Sequence, residues 1–512
     1  MISGSLLFLS HFFFIGILLT RKLKRCKFVD EETKRRRYMS KQTTQHQIPK
    51  ETMNAAWAIA IGAIAPMLDS TMINIGIQQL NQTFHTNIDI VQWGITGYIL
   101  ALAIAIPFSG WLMNHFNSKY TFIIAMMVFG ITSLFVGISQ SVGIFILFRI
   151  FQGFSAGVIT SLMFTLLVKT AGQDHIGKVM AIVSTPMIFG PILGPTLGGF
   201  IIHFASWRWM FFINIVVSLV SVPLMMKYVP SFKPFDKHKK LDIWGILLLS
   251  ITSATLIYGI SQAGTIGSFI DSKVMTFILI GVAAIVVYIF YNKQRHFDTV
   301  LPLNLFKSKT YSASMTGLLL ANVGIMGPMV ILPLYFQEFK GYSAVGAALA
   351  LIPQGIGMLI TRPYIGTYID RIGAKKVISI SIVIAILGTI PLMFVNNESS
   401  IVWLSFILFI RGCSVGGINL GLMADAYKGV SQNQLSEAGV GINMIENIGA
   451  SFGTAIIATV VASNLSMRHS HHEMSHSIVG FHEGFLVSMV AIILILIPTY
   501  YLGKNKTGMD EN

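Results

Sequence analysis

Asp69 lies inside the apolar run Trp57–Ile77, in the stretch Leu68-Asp-Ser-Thr-Met-Ile-Asn74. A carboxylate at a bilayer centre costs about 2.5–3.5 kcal/mol on insertion scales, so an acid in such a run faces a protein interior or a water-filled cavity and marks a route for ions or solutes. There it could trade a proton for the charge of a cation. The alternative is an acid locked in hydrogen bonds to Ser70, Asn74 or a neighbouring helix. A second acid, Glu446, sits among Asn443, Asn447, Ser451 and Thr454, whose spacing of three or four residues makes one polar stripe along a helix. Such a stripe should face a cavity, and we expect Asn74, Asn443 and Asn447 to line it. Glu446 is read as a partner of Asp69 for protons or a cationic substrate, with a polar helix contact as the alternative. Arg149 is a cation inside a third apolar run and needs an acid or carbonyl partner, in proton transfer or cavity electrostatics. Arg362 and Arg411 could instead snorkel to an interface. Asp425 and Glu338 lie at the ends of runs and read as solvated.

Other chemistry is poorly supplied. His469-Ser-His-His-Glu-Met-Ser-His476, with His482 and Glu483 beyond, is the one segment with imidazoles enough for zinc or copper, but its ligand spacing is irregular and we read it as a connector with no metal. No G-x-x-x-x-G-K-[ST] sequence is present, and no polar segment is long enough for an ATP-hydrolysing domain. No nucleophile–base constellation stands out, so we expect no enzyme and no cofactor, with an ion gradient as the energy source. At about 150 mV each net charge moved is worth roughly 3.5 kcal/mol. A one-for-one exchange of proton and monovalent cation moves no net charge; two carboxylates, Asp69 and Glu446, would permit extra protons.

The elements that carry these residues are legible from composition. Of 512 residues, 54% are apolar and only 11% charged, against about 25% charged in soluble domains. Runs of about 20 apolar residues, each long enough to cross the hydrocarbon as a helix, recur along the chain. They fall near 55–77, 92–113, 120–139, 142–168, 178–202, 209–226, 243–262, 274–292, 311–336, 343–362, 376–395, 401–424, 436–462 and 481–502, which makes fourteen spans of an all-α polytopic membrane protein. Lys and Arg gather in every second loop, as at Lys119, Lys169, Lys178, the Lys227–Lys240 cluster, Lys293, Lys307, Arg371, Lys376 and Lys428, whereas Lys273, Lys340 and Arg468 fall in the others. That alternation predicts both ends of the core in the cytoplasm, in the cell membrane. The formal charge of +15 then anchors loops against anionic lipid and implies no nucleic-acid partner. Cys26 and Cys413 offer no disulfide framework. Leu6–Leu19 is short for a membrane span and precedes a basic stretch; we read residues 1–38 as an upstream extension before a natural start at Met39, against an extra anchoring helix.

Two segments read alike: Gly110-Trp-Leu-Met-Asn-His-Phe-Asn-Ser-Lys119, a loop after span two, and Gly366-Thr-Tyr-Ile-Asp-Arg-Ile-Gly-Ala-Lys-Lys376, a loop after span ten. Internal repetition of this kind builds many transporter folds, with two halves around a midplane site. Both segments resemble the G-x-L-x-D-R-x-G-R-K motif of the major facilitator superfamily. Fourteen spans point to its drug:proton antiporter branch, the EmrB/QacA-like multidrug exporters. Leu68–Asn74 resembles that branch's first-helix motif, Arg149-Ile-Phe-Gln-Gly153 its fourth-helix motif, and Gly190-Pro-Ile-Leu-Gly-Pro-Thr-Leu-Gly-Gly199 its antiporter signature; Trp207-Arg-Trp-Met-Phe-Phe-Ile-Asn214 is also typical. The similarity covers about residues 53–503.

The resemblance implies two six-helix bundles, 53–230 and 308–503, with two extra helices in 241–293 between them, an N-terminal segment 1–52 and a cytoplasmic tail 504–512. It implies proton-coupled export of lipophilic, cationic drugs or dyes by alternating access; the alternative on the same fold is a dedicated exporter of one amino acid, siderophore or lipid. Partners would be protons, small amphipathic substrates and the bilayer, and no residue pattern sets an oligomeric state. In the first segment the family's Asp is Asn114, its Arg is His115 and its second Gly is Asn117, so a charged latch is expected only in the second, from Gly366, Asp370, Arg371, Gly373 and Lys375. Gly190, Gly194 and Gly198 are spaced four apart, next to Gly199 and with Pro186, Pro191 and Pro195 in the same helix. Small residues at that spacing allow close helix contact, and the prolines bend the helix, which we expect at the interface between bundles. The 36 Phe and 26 Met residues could line an adaptable pocket, although lipid selects the same composition.

Overall fold

Apolar runs this long must satisfy their backbone polar groups internally, and the helix is the solution open to a single run. The computed structural model describes residues 49–172, 175–234, 240–471 and 475–502, with side chains except at 74, 78, 88, 183–193, 195–196, 344–345, 432, 462–471 and 475–477. The extension before Met39, the tail and the side chains of the histidine-rich segment therefore lie outside the described residues.

Fourteen long helices follow one another: α1 Lys50–Phe84, α2 Ile88–His115, α3 Ser118–Gly137, α4 Val142–Ala171, α5 Ile176–Phe204, α6 Arg208–Tyr228, α7 Ile243–Ile266, α8 Ser272–Gln294, α9 Lys309–Leu334, α10 Ile352–Ile372, α11 Ala374–Thr389, α12 Ile401–Lys428, α13 Leu435–His471 and α14 Ser475–Leu494. Twelve are long and apolar enough to cross a membrane. The other two are α5, of whose side chains residues 183–193 and 195–196 lie outside the described set, and α10, whose apolar character is broken by Gln354, Arg362, Asp370 and Arg371. Several helix starts are capped by side chains: Asn117 accepts from Lys119 N, Ser141 from Ile144 N and Asp271 from Lys273 N. Gly172, Gly267 and Gly373 end α4, α7 and α10 with φ of +66°, +76° and +89°, where a side chain would be strained.

The first six helices form one bundle, in which α2 packs on α4, α1 on α5 and α6, and α3 on α4 and α6. The last six repeat it: α10 packs on α12, α9 on α13, and α11 on α12. The bundles meet along two seams, α5 with α10 and α2 with α13. The inserted hairpin is asymmetric. Helix α7 lies against both α2 and α13, over the second seam, and α8 packs on α7. One end of the molecule is rich in lysine, and these lysines tie neighbouring segments together there: Lys119 Nζ donates to Met226 O at 2.8 Å and Lys169 Nζ to Lys233 O at 3.2 Å.

The two repeated segments are not loops. Gly110–His115 is the last turns of α2 and Gly366–Ile372 the last turns of α10, so each motif runs along a helix and turns only at Phe116–Asn117 or Gly373.

Candidate functional site

The site around Asp69 is assembled by α1, α2, α3, α4 and α6. Asp69 is 2% exposed and Arg149 fully buried. The Asp69 carboxylate takes an ion pair from Arg149 Nη1 and hydrogen bonds from Asn214 Nδ2 at 2.7 Å and Gln152 Nε2 at 3.2 Å. Arg149 also donates to Gly94 O, at 3.0 Å from Nε, and to Gln152 Oε1, at 2.8 Å. Its guanidinium lies 4.1 Å from the centroid of the Tyr98 ring, and the Tyr98 hydroxyl reaches Pro66 O at 3.3 Å. Gln152 also donates to Ser133 Oγ at 2.6 Å. The whole cluster is buried. Two opposite charges taken from water are tolerable only when most lone pairs and protons find a partner; this network supplies them on the Asp69 carboxylate and on Nε and Nη1 of Arg149, while Arg149 Nη2 and Asn214 Oδ1 have none among the described residues.

The arrangement differs from the one expected of two acids sharing a cavity. Asp69 does not stand open beside Glu446; it is locked by neighbouring helices, as in the alternative reading, and its partners among the described residues are Arg149, Gln152 and Asn214, not Ser70. Ser70 instead bonds Met67 O at 3.0 Å, the short-range bond open to a hydroxyl in a helix. The side chain of Asn74 lies outside the described residues. Gln152 and Asn214 are site residues that charge in an apolar run does not reveal. The available signal is the spacing of Gln152, three residues after Arg149 and so on the same helix face.

Glu446 is half-buried in mid-α13 and makes no hydrogen bond or ion pair among the described residues. Its neighbours along the stripe turn inward on their own helix: Asn443 Nδ2 donates to Gly439 O, Asn447 Nδ2 to Asn443 O and Ser451 Oγ to Asn447 O, at 2.8, 2.8 and 3.0 Å. Elsewhere on α13, Gly449 and Gly453 let the helix lie against Asn322 and Val323 of α9. Glu446 is therefore an acid with free acceptors, unlike Asp69.

The remaining charges divide. Arg411 does not snorkel; it is 1% exposed and gives Nη2 to Gly324 O at 3.1 Å. Arg362 is likewise buried, and so is Asp425, against its reading as a solvated end of a run. Glu338 is exposed, as its position at a run's end implies.

Of the antiporter signature in α5, Gly194 and Gly198 pack inside their own bundle. A Cβ on Gly194 would strike Thr71, and one on Gly198 would stand 3.1 Å from Met72 O, so this face of α5 touches α1 close beyond Asp69. Gly199 has open space instead. The side-chain positions of Pro191 and Pro195, and the packing of Gly190, lie outside the described residues. A close approach between bundles is made elsewhere on α5, where a Cβ on Gly177 would come within 2.5 Å of Gly366 O.

That contact belongs to a seam at the lysine-rich end. Asp370 accepts hydrogen bonds from Gly177 N at 2.9 Å and Lys178 N at 3.0 Å, so its carboxylate caps the positive end of α5 from the other bundle. Gly373 makes the turn, Lys375 Nζ lies 5.0 Å from the centroid of the Tyr500 ring, and Arg371 is exposed. The second seam is latched as well, against expectation: Asn114 Nδ2 donates to Glu437 Oε1 at 3.2 Å, and Ser436 Oγ donates to Asn114 Oδ1 at 2.8 Å. The acid missing from α2 is supplied by α13.

Two six-helix bundles repeat one packing pattern and meet at latched helix ends, and residues 59–454 match the family model described as Major Facilitator Superfamily. The chain belongs to the major facilitator superfamily. Within this superfamily it is 28% identical over 424 residues to a protein named multidrug resistance protein B homolog from Mycobacterium tuberculosis, covering 82% of this chain and 78% of that one. It is 26% identical over 417 residues, 81% of each chain, to the probable multidrug resistance protein EmrY of Escherichia coli. Among solved major facilitator structures it is similar in fold to the proton:xylose symporter XylE, with a TM-score of 0.60 at 15% identity over 88% of this chain and 96% of that one. The human organic anion transporter MFSD10 is similar too, with a TM-score of 0.58 at 13% identity over 89% and 100% of the two chains.

Proposed function

We propose that this chain is a proton-coupled efflux transporter that exports lipophilic, cationic drugs or dyes by alternating access, in the cell membrane with its lysine-rich end in the cytoplasm. The observation that carries this reading is the sealed Asp69–Arg149 pair, which joins α1 to α4 and engages α2, α3 and α6. Adding a proton to Asp69 would discharge the acid and leave Arg149 buried without its counter-charge. Breaking a buried pair on one side costs about 3–5 kcal/mol, so the helices around it must repack. A proton entering across about 150 mV supplies roughly 3.5 kcal/mol, which is of the same size. The names of the multidrug-resistance relatives support the substrate class.

Two acids then take two tasks. Asp69 answers to the proton through Arg149, and Glu446, with free acceptors on the polar stripe, meets the cationic substrate. Proton and substrate do not compete for one carboxylate, because the acceptors of Asp69 are occupied. The test is accumulation of ethidium and of a neutral lipophilic dye in cells expressing the chain, with and without a protonophore, beside Glu446→Gln. We expect the protonophore to abolish extrusion of both dyes and Glu446→Gln to impair ethidium selectively. Extrusion undiminished after gradient collapse sinks the coupling; export confined to one metabolite sinks the multidrug reading.

A further inference from the structure

The segment that leads from the inserted hairpin into the second bundle is held by side chains of the hairpin itself. Asp242, just before α7, accepts from Gly245 N at 2.9 Å, from the Tyr291 hydroxyl in the last turn of α8, and from Val300 N at 3.1 Å. Asn292 donates to Leu301 O at 3.1 Å and accepts from Leu303 N at 3.3 Å, while the Tyr288 hydroxyl donates to Leu301 O at 2.9 Å and accepts from Leu301 N at 3.1 Å. A free linker between domains would be solvated. Here Thr299, Val300 and Leu301 are all buried, at 0%, 5% and 7% exposure.

What they are buried against is the α2–α13 seam. Val300 lies 3.6 Å from the point where a Cβ on Gly110 of α2 would sit, with Val440 of α13 on the same glycine, and Leu301 lies 3.1 Å from the corresponding point on Gly441 of α13. Gly110 is one turn before Asn114, the residue latched to Glu437. The linker thus touches both bundles beside their latch, while Asp242, Asn292 and Tyr288 tether its backbone to the hairpin.

We propose that residues 299–303 are a bolt on the cytoplasmic seam, and that the inserted hairpin sets how readily this end opens by holding the bolt in place. The proposal rests on the alternating-access reading for its sidedness. Separating α2 from α13 at this end must either withdraw Val300 from Gly110 or break its tether at Asp242. Val300→Ala trims the bolt and leaves its tethers; Asp242→Ala cuts the tether on Val300 itself and leaves the bolt, with Asn292 and Tyr288 still holding Leu301.

The test is a distance measurement between spin labels at Phe116→Cys and Asn433→Cys, exposed positions on the two sides of the seam, in nanodiscs after Cys26 and Cys413 are replaced by serine. Val300→Ala and Asp242→Ala should each raise the ratio of long to short distances at least about threefold at equal pH. Val300→Ile should restore the parental ratio. Thermal melting checks folding, and if Asp242→Ala fails it, Val300→Ala decides. Distances in Val300→Ala that coincide with the parent overturn the bolt. Because the measurement needs neither gradient nor dye, a failure of proton coupling in the efflux assay leaves its outcome unaffected.

Discussion

Asn114 in the last turn of α2 and Glu437 in the first turn of α13 are bonded at 3.2 Å, a hydrogen bond that spans 323 residues of chain and, with that from Ser436 to Asn114, joins the two bundles. Glu437 is 5% exposed and Asn114 3%, so the bond is shielded from water. At the other seam the acid, Asp370, comes from α10 and caps the backbone of α5. A carboxylate therefore latches both seams, yet it is delivered from different places in the repeat: from α10, the second helix of its bundle, in one seam, and from α13, the fifth helix of the same bundle, in the other.

Restoring an acid at the α2 position should therefore harm this protein. Asn114→Asp sets two carboxylates at hydrogen-bond distance, a repulsion of about 4 kcal/mol at an effective dielectric near 20. We expect a lower melting temperature and slower dye efflux. Glu437→Gln in the same molecule should recover most of both, since a donor then faces the new acid. Equal behaviour of Asn114→Asp and the parent would show that the latch carries no energy.

The Asp69–Arg149 pair separates stability from transport. Asp69→Asn leaves Arg149 buried and uncompensated, and should lower stability by about 3–5 kcal/mol, read as a fall in melting temperature of the purified protein. Replacing both residues, as Asp69→Leu with Arg149→Met, should recover much of that stability and none of the transport. Arg149→Lys keeps the charge but cannot reach Gly94, Gln152 and Asp69 together, so transport should drop sharply. Wild-type efflux by the double variant would remove the pair from the mechanism.

Within the glycine run of α5, two positions should respond in opposite ways. Gly194→Ala drives a methyl into Thr71 and should cost about 1–3 kcal/mol by overpacking. Gly199→Ala meets nothing within 4 Å and should change stability by less than about 0.5 kcal/mol. Thermal melts of the two variants beside the parent check this; equal losses would contradict the packing of α5 on α1.

Much of the site is visible one residue at a time. Asp69 and Arg149 stand out as charges in apolar runs, and the need of Arg149 for an acid or carbonyl is met by both. Matching is what a sequence conceals. Two intramembrane acids invite pairing, yet the Asp69 carboxylate is satisfied within the first bundle and Glu446 takes no part in it. Asn214 is legible only as part of a motif, and it donates a 2.7 Å bond to Asp69. A latch at Asn114 looks absent when its acid is sought in the same segment, although Glu437 is present on another helix.

Helix number and length follow from the sequence by itself, because a bilayer accepts only long apolar runs with internally bonded backbones, and that criterion is local. The repeat of the two halves is local information as well. The choice of partners is not: Arg149 meets Asp69 across 80 residues and Glu437 meets Asn114 across 323, and neither separation leaves a period in the chain. Burial then decided the chemistry, because an acid that is fully satisfied in a dry bundle and an acid with free acceptors on a polar stripe have the same letter-level signature. Only the packing of helices tells them apart, by fixing which polar atoms are within reach once water is gone.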